Sequence, residues 1–280
     1  RGRPCRPVPT AAGRGSSAAI RTDAQPGRRA VAQELPVADA SVPRAELTEW
    51  RERFGLVAGI TERGAGESFS LGFWTAEPIG AVMGRWGAYR DSLRPGFDAL
   101  QKAHQVHGTS VLWQQRVAPG WHVADDADGH ATVQRGLLLA VTVADCVPIY
   151  LTTRDGRAIA LLHAGWRGTA SGILEVGVRQ LSAHANAPPA DIVMHCGVGI
   201  CGPCYEVGDE VSRAVLGPEA SPGKRRLDLR AVLARQAESL GLGEISVSPL
   251  CTSCHRDRFF SHRASGGTDG RMLAYLGIPA

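Results

Sequence analysis

Residues 137–168 read LLLAVTVADCVPIYLTTRDGRAIALLHAGWRG and contain three short apolar runs separated by polar or turn-forming residues. The runs are Leu137–Val143, Val147–Leu151 and Ala158–Leu162, and a fourth run, Asp191–His195, follows farther along the chain. Short apolar runs bounded by Gly, Asp or Pro are typical of strands that are buried on both faces. The sequence therefore predicts a sheet whose strands lie in the interior of the protein.

Two further segments have the residue spacing of amphipathic helices. Thr169–His184 places apolar residues at helical intervals, and Leu227–Leu240 repeats the pattern. The sequence shows neither an internal repeat nor a Pro/Gly-rich linker after residue 45. We therefore predict one α/β-type catalytic domain over residues 46–280, with the strand order left open.

The N-terminal segment, residues 1–45, differs in composition from the rest of the chain. Its first 33 residues hold seven Arg and one Asp, so the net charge of +4 arises there and the remainder is not basic. This distribution argues against a nucleic-acid partner. We expect residues 1–45 to form a disordered or misassigned extension without catalytic function, with an organelle transit peptide as the alternative.

The hydrophobic content and the number of cysteines also indicate the cellular compartment. A chain of 280 residues with 44% hydrophobic residues can bury a large core, and no stretch approaches the apolar length of a membrane span. Seven Cys is an odd number, and several lie near His, which favours metal binding or catalysis over a secreted disulfide framework. We expect a cytoplasmic protein with a small-molecule substrate and no membrane partner. The oligomeric state is not predicted.

Three potential metal ligands lie within or beside the apolar runs. They are His107 in HQVHGTSV, Cys146 in VTVADCVPIYL and His163 in IALLHAGWRGT. Imidazole nitrogen and thiolate sulfur suit zinc, and a catalytic zinc site typically has three protein ligands and one open position. Because the three residues are far apart in sequence, a buried Cys beside two hydrogen-bonded His remains the alternative interpretation.

The strings QVHG, ADCVP, HAGWRG and FFSHRASGGTDGRM resemble motifs of the YfiH-type or laccase-domain family, also described as multicopper polyphenol oxidase-like. The resemblance extends from about Leu56 to Ile278 and implies an α+β fold, a mixed β-sandwich core flanked by helices. It implies a zinc-dependent purine nucleoside phosphorylase that uses phosphate to cleave adenosine, inosine and methylthioadenosine and also deaminates adenosine. It implies zinc ligation by His107, Cys146 and His163.

Phosphorolysis needs a cation that holds phosphate, and the planar guanidinium of Arg can bind two oxygens at once. Arg63, Arg167 and Arg263 are the candidates, each beside Gly or small residues. Arg167 is predicted to be catalytic, together with Cys146 and His163, because it lies four residues after a proposed ligand. Arg63 and Arg263 are predicted to bind substrate, although the family's TxRxGG and SYRR segments read TERGAG and SHRA here.

Three other residues complete the predicted site. Asp145 precedes Cys146, so on an extended strand its side chain faces away from the metal, and we expect it to support catalysis by orienting a neighbouring group. Asp128, in DADGHAT, resembles a family segment and is predicted to orient a ligand or bind substrate. Cys201 is predicted to contact substrate from a glycine-rich loop.

Two CxxC pairs, Cys201–Cys204 and Cys251–Cys254, raise the question of a second metal site. The pairs are separated by 46 residues, whereas the pairs of a zinc ribbon are separated by roughly 15–20. We therefore expect a flexible, anion-binding loop at the first pair in preference to a second metal site.

Three competing functions remain open. A multicopper oxidase needs many His ligands, often in HxH pairs, whereas this chain has nine His and no HxH pair, and its three Met lie outside the ligand motifs. A Cys–His hydrolase, such as an amidase that edits peptidoglycan precursors, would use Cys146 as the nucleophile and His163 as the base. A non-enzymatic binding module has little use for an open site of two His and one Cys.

Overall fold

The computed structural model describes residues 28–29, 32–38, 41–65, 68–73 and 75–280. Within these residues, sixteen strands form two seven-stranded sheets and one two-stranded ribbon. The strands are β1 (Arg28–Arg29), β2 (Leu35–Pro36), β3 (Arg44–Glu46), β4 (Val57–Thr61), β5 (Ala99–Ala103), β6 (Val111–Gln114), β7 (Gly120–Ala124), β8 (Gly129–Thr132), β9 (Leu137–Val143), β10 (Val147–Thr153), β11 (Ile159–Ala164), β12 (Ile192–Cys196), β13 (Glu206–Val207), β14 (Arg225–Arg226), β15 (Glu244–Val247) and β16 (Met272–Gly277).

Seven α-helices accompany the strands in the described part of the chain. They are α1 (Thr48–Phe54), α2 (Ile79–Ser92), α3 (Trp166–Ala170), α4 (Ile173–Ala185), α5 (Asp209–Leu216), α6 (Leu229–Ser239) and α7 (His262–Ser265). Short 3-10 helices occur at Pro189–Asp191 and Gly202–Cys204. None of the helices in these ranges is long and apolar enough to cross a membrane.

Both large sheets are mixed. The first has the order β1-β15-β12-β10-β11-β8-β6, and the second has the order β2-β3-β4-β16-β9-β5-β7. In the first sheet β10 is antiparallel to β11 and β12, whereas β12 and β15 are parallel neighbours. In the second sheet β5 runs parallel to both β7 and β9.

Three apolar clusters lie between four layers, which are a helical layer, the first sheet, the second sheet and another helical layer. Because successive strand residues face opposite sides of a sheet, Leu162 packs toward α4 and α6, whereas Leu161 packs between the two sheets. In the second sheet Leu139 faces the space between the sheets, and Leu138 packs toward α2. The strands are apolar on both faces because each sheet lies between a helical layer and the other sheet. The predicted single-domain sandwich flanked by helices is confirmed.

The predicted central elements agree closely with the observed ones, and their ends differ for local reasons. Strand β9 has the predicted bounds, Leu137–Val143. The predicted helix Thr169–His184 is interrupted at Gly172, whose φ of 85° ends the path of α3 before α4 begins. Helix α6 begins at Leu229 because the Asp228 side chain accepts hydrogen bonds from the backbone N–H groups of Arg230 and Ala231.

The folded region begins before the predicted boundary at residue 45. Glu34 and Val42 are fully buried. The Glu34 carboxylate accepts hydrogen bonds from the Ser248 hydroxyl at 2.7 Å and the Val198 N–H at 3.1 Å, and its Oε1 lies 3.1 Å from Nε2 of His195. These contacts join the described part of residues 32–45 to the first sheet. The expectation for residues 1–27 lies outside the described residues.

Candidate active site

The candidate site forms where the chain passes from one sheet to the other. Strand β9 belongs to the second sheet, β10 belongs to the first, and the connection places Asp145 in a left-handed conformation with φ 84°. Strand β11 is the antiparallel neighbour of β10, with Pro148 opposite His163. This pairing brings the start of β10, and hence Cys146, beside the end of β11.

His107, Cys146 and His163 come together at this crossing. One potential ligand atom from each residue lies within 4.8 Å of those of the other two. The two imidazole rings meet edge to face, with their centroids 4.8 Å apart. His163 is buried, Cys146 is half-buried and His107 is exposed, so the cluster opens to solvent on the His107 side. Two nitrogens and one sulfur with an open side form a donor set that suits a catalytic zinc ion.

Asp128 forms hydrogen bonds with two of these residues, His107 and His163. Its carboxylate accepts hydrogen bonds from the backbone N–H groups of Val106, His107 and Gly108 at 3.2, 3.0 and 2.6 Å. The same carboxylate lies 2.8 Å from Nδ1 of His163, which leaves Nε2 of that ring for the cluster. Asp128 is fully buried. Its position is therefore that of a residue that orients ligands, and its carboxylate does not face the open side where a substrate would enter.

The backbone of the first ligand depends on this contact. His107 has a φ of 61°, an uncommon conformation for a residue with a side chain. The three N–H groups of residues 106–108 converge on one carboxylate, which stabilises the tight turn. Burial by itself would raise the pKa of Asp128, but the hydrogen bond and charge of His163 and the loop N–H groups outweigh it and lower the pKa. The carboxylate is therefore ionised at neutral pH.

The Cys146 and His163 side chains each favour the charged form of the other. Burial would raise the pKa of Cys146, but the charge of His163 and hydrogen bonds from both His residues lower it to about 6. Burial would lower the pKa of His163, but the Cys146 thiolate and Asp128 raise it to about 9. The thiolate form required for metal ligation or for nucleophilic attack is thus favoured at neutral pH.

The HAGWRG loop approaches the cluster closely. A Cβ atom at Gly165 would lie 3.0 Å from Cδ2 of His107 and 3.2 Å from Sγ of Cys146. A Cβ atom at Gly168 would lie 3.0 Å from the carbonyl oxygen of Gly108. The glycines of this motif are therefore required for close packing around the cluster.

Two of the predicted arginines lie over aromatic rings. Arg167 is exposed at the start of α3, with its guanidinium carbon 4.1 Å from the ring centroid of Trp166. The Arg263 guanidinium carbon lies 4.9 Å from the ring centroid of Tyr205. Burial raises the pKa of Tyr205, and the charges that act on its hydroxyl include those of Cys146, Arg263 and Arg167. Tyr205 was not predicted as a site residue; its position after the CGPC sequence is the only signal that the sequence offers.

The Asp145 carboxylate is bound by groups of the C-terminal part of the chain. Its Oδ1 accepts hydrogen bonds from the hydroxyls of Thr252 at 2.5 Å and Ser261 at 2.7 Å. Its Oδ2 accepts a hydrogen bond from the backbone N–H of Arg263 at 2.6 Å. Asp145 therefore fixes the C-terminal loop that carries Arg263, and its geometry is that of a positioning residue.

Arg63, the third predicted arginine, forms an ion pair with Asp269. Its Nη2 lies 2.6 Å from both carboxylate oxygens of Asp269, and its guanidinium lies over the Phe260 ring with a carbon-to-centroid distance of 4.6 Å. Asp269 in turn accepts a hydrogen bond from the Ser261 N–H at 3.1 Å. Arg63 thus supports the loop around Asp145, and the described contacts place it outside the three-ligand cluster.

Cys201 lies in a different cluster from Cys146. Its Sγ is grouped with those of Cys204, Cys251 and Cys254, all within 4.8 Å of one another. The fold thus brings the two CxxC pairs together, although the sequence had favoured a flexible, anion-binding loop over a second metal site. The sequence distance between the two CxxC pairs is irrelevant because β12 and β15, which precede the two pairs, are adjacent parallel strands whose carboxyl ends meet at one edge.

The chain is similar to several known proteins. A purine nucleoside phosphorylase, YlmD, of Geobacillus stearothermophilus is 35% identical over 247 residues, covering 80% of this chain and 90% of that protein. A purine nucleoside phosphorylase of Deinococcus radiodurans is 36% identical over 188 residues, covering 65% of this chain and 71% of its own. The crystal structure of YlmD from Geobacillus stearothermophilus superposes with a TM-score of 0.79 at 30% identity, covering 87% of this chain and 98% of that one.

The family model described as "multi-copper polyphenol oxidoreductase laccase" matches residues 56–279. The match includes every strand from β4 onward and contains all three residues of the ligand cluster as well as Asp128. The chain therefore belongs to the laccase-domain, or YfiH-type, family.

Proposed function

We propose that this protein is a zinc-dependent purine nucleoside phosphorylase. The observation that carries the proposal is the open cluster of His107, Cys146 and His163, whose potential ligand atoms lie within 4.8 Å of one another. The names of the related phosphorylases support the reaction class. The proposed substrates are adenosine, inosine and methylthioadenosine, with phosphate as the co-substrate.

The residues present fit a zinc ion by their chemistry. The cluster offers two imidazole nitrogens and one thiolate, and Asp128 fixes the tautomer of His163 by occupying its Nδ1. A copper oxidase is less well supported. Among the described residues, one candidate metal cluster contains His, and it contains only two. The sulfur of Met272 already accepts a hydrogen bond from the Phe260 N–H. When bound, zinc would supply a Lewis acid and lower the pKa of water at its open position.

The chain's own residues account for the binding of phosphate. In phosphorolysis a phosphate oxygen forms a bond to C1′ of the ribose while the C1′–N9 bond breaks, and the purine leaves with the electron pair and takes up a proton. Arg263 lies over the Tyr205 ring, and the charges of Arg167 and Cys146 also act on the Tyr205 hydroxyl. These observations support the proposal that the two arginines flank the cluster. Their guanidinium groups can hold a phosphate dianion with paired hydrogen bonds and place it for attack.

Deamination of adenosine to inosine is proposed as a second activity of the same pocket. It consumes water and needs no phosphate, so it depends on the cluster and on purine binding but not on the phosphate anchor. Incubation of the purified protein with each nucleoside, with and without phosphate, separates the two reactions by chromatography of the products. Release of base only with phosphate supports phosphorolysis, and absence of both free base and inosine contradicts the proposal.

One observation favours a second candidate function, a Cys–His hydrolase. Cys146, His163 and Asp128 are connected in the order of a nucleophile, a base and an orienting acid, and the pKa of Cys146 is lowered to about 6. Such an enzyme, for example an amidase acting on peptidoglycan precursors, needs no metal. Activity that survives complete removal of zinc would favour this candidate.

A further inference from the structure

The four cysteines of the two CxxC pairs form a cluster separate from the proposed active site. All four Sγ atoms lie within 4.8 Å of one another. Sγ of Cys254 lies 3.5 Å from that of Cys204 and 3.8 Å from that of Cys201. A disulfide requires about 2.05 Å between the sulfurs, so these contacts are far longer than covalent bonds.

Two of the sulfur separations are those expected for ligands around one ion. With Zn–S bonds of about 2.3 Å, the edge of an ideal tetrahedron of sulfurs is about 3.8 Å. The two separations that involve Cys254 are 3.5 and 3.8 Å, close to this edge length. Four thiolates are the ligand set of closed, structural zinc sites.

The backbone places the two turns face to face. Cys201 precedes the 3-10 turn Gly202–Cys204, which ends at Cys204, and the Cys201 N–H points at Sγ of Cys251 at 3.3 Å. Gly199 forms a parallel bridge with Cys251, and the Thr252 N–H donates to the Gly199 carbonyl at 3.2 Å. The cluster is therefore built on paired backbone segments at the end of the first sheet.

Two further hydrogen bonds order the first turn. Nη1 of Arg226 donates a hydrogen bond of 2.9 Å to the carbonyl oxygen of Pro203, in the middle of the first turn. The N–H of Cys201 directed at Sγ of Cys251 acts in the same sense. Both contacts fix the first turn against the cluster.

We propose that Cys201, Cys204, Cys251 and Cys254 bind a second zinc ion in a closed, structural site. On binding, each thiol releases its proton to solvent and its sulfur becomes a ligand. The ion joins the loop after β12 to the loop after β15. Its position gives it a link to the active site, because Thr252, inside the second turn, donates to Asp145 beside Cys146.

The site is tested by metal stoichiometry in the full chain, purified under reducing conditions and analysed by inductively coupled plasma mass spectrometry. We expect two zinc ions per chain in the wild type and one in Cys254→Ala. The matched control is Cys196→Ala, which removes a buried thiol of β12 outside both clusters and should retain two. Retention of two zinc ions by Cys254→Ala would overturn the proposal.

X-ray absorption at the zinc edge of the wild type makes the test independent of whether the variant folds. Two sites would share five sulfur ligands between two zinc ions. One zinc with a single sulfur ligand would overturn the four-cysteine site and leave the active-site zinc intact. One zinc with four sulfur ligands would support the four-cysteine site and instead contradict the zinc of the proposed function. A protein that holds these cysteines as disulfides, detected by thiol titration after denaturation, would also overturn the proposal.

Discussion

Asp128→Asn is the substitution that most directly probes how the ligand cluster is built. The wild-type carboxylate accepts four contacts, three from the N–H groups of residues 106–108 and one from Nδ1 of His163. An Asn side chain keeps one accepting oxygen but turns an NH₂ group toward donors that already point inward. At least one of these contacts becomes repulsive, and the charge that favours Nδ1–H on His163 is lost.

The expected cost is a 10- to 100-fold loss of zinc affinity, which is the usual effect of removing a partner of a metal-ligating His and corresponds to about 1.4–2.8 kcal/mol. Zinc affinity is measured by competition with a chromophoric chelator in a Cys254→Ala background, so that only the His107, Cys146 and His163 cluster is titrated. The control is Asp126→Asn, two residues away, whose exposed left-handed backbone (φ 48°) suits Asn. Equal zinc affinities in the two variants would refute the positioning role of Asp128.

Three further substitutions separate packing, stability and phosphate binding. Gly165→Ala should reduce zinc content, because the added Cβ would lie 3.2 Å from Sγ of Cys146. Gly208→Ala is the control, since no atom lies within 4 Å of its added Cβ; Gly172→Ala is unsuitable because Gly172 has a positive φ. Glu34→Gln should lower the free energy of unfolding by about 1.5–3 kcal/mol at pH 7, because an amide is a weaker acceptor than the buried carboxylate that accepts hydrogen bonds from Ser248 and Val198. The pKa of Glu34 is lowered in the folded protein, so this difference should shrink as pH falls through that pKa, and a pH-independent difference in urea titrations would contradict it. Arg167→Lys should retain zinc and lose more phosphorolysis than deamination; equal losses would show that Arg167 serves the nucleoside or the fold.

The interior strands and the ligand residues could be predicted because their signals are local. Leu137–Val143 is apolar at every position but one, which is the pattern of a strand buried on both faces, and the observed strand has the same bounds. The identification of His107, Cys146 and His163 as possible ligands depended on donor chemistry and on family motifs, and the fold brings these residues together.

The remaining features depend on distant contacts. Asp128 is recognisable as the centre of the site only once three N–H groups of one loop and a His of β11 are seen to converge on it. The four-cysteine cluster depends on the parallel pairing of β12 with β15, and strand order does not follow from apolar patterns. Glu34 was assigned to an extension by composition, although its carboxylate pairs with His195 more than one hundred residues away.

The formation of free base from inosine in the presence of phosphate, before and after zinc removal, tests the central claim most directly. We predict that base and ribose 1-phosphate form in equal amounts, that both disappear when zinc is removed by a chelator, and that both return when zinc is restored. The Cys146→Ala variant should lack this recovery because it lacks one ligand of the cluster. No base from the zinc-loaded protein, or an unchanged rate after complete zinc removal, would contradict the account.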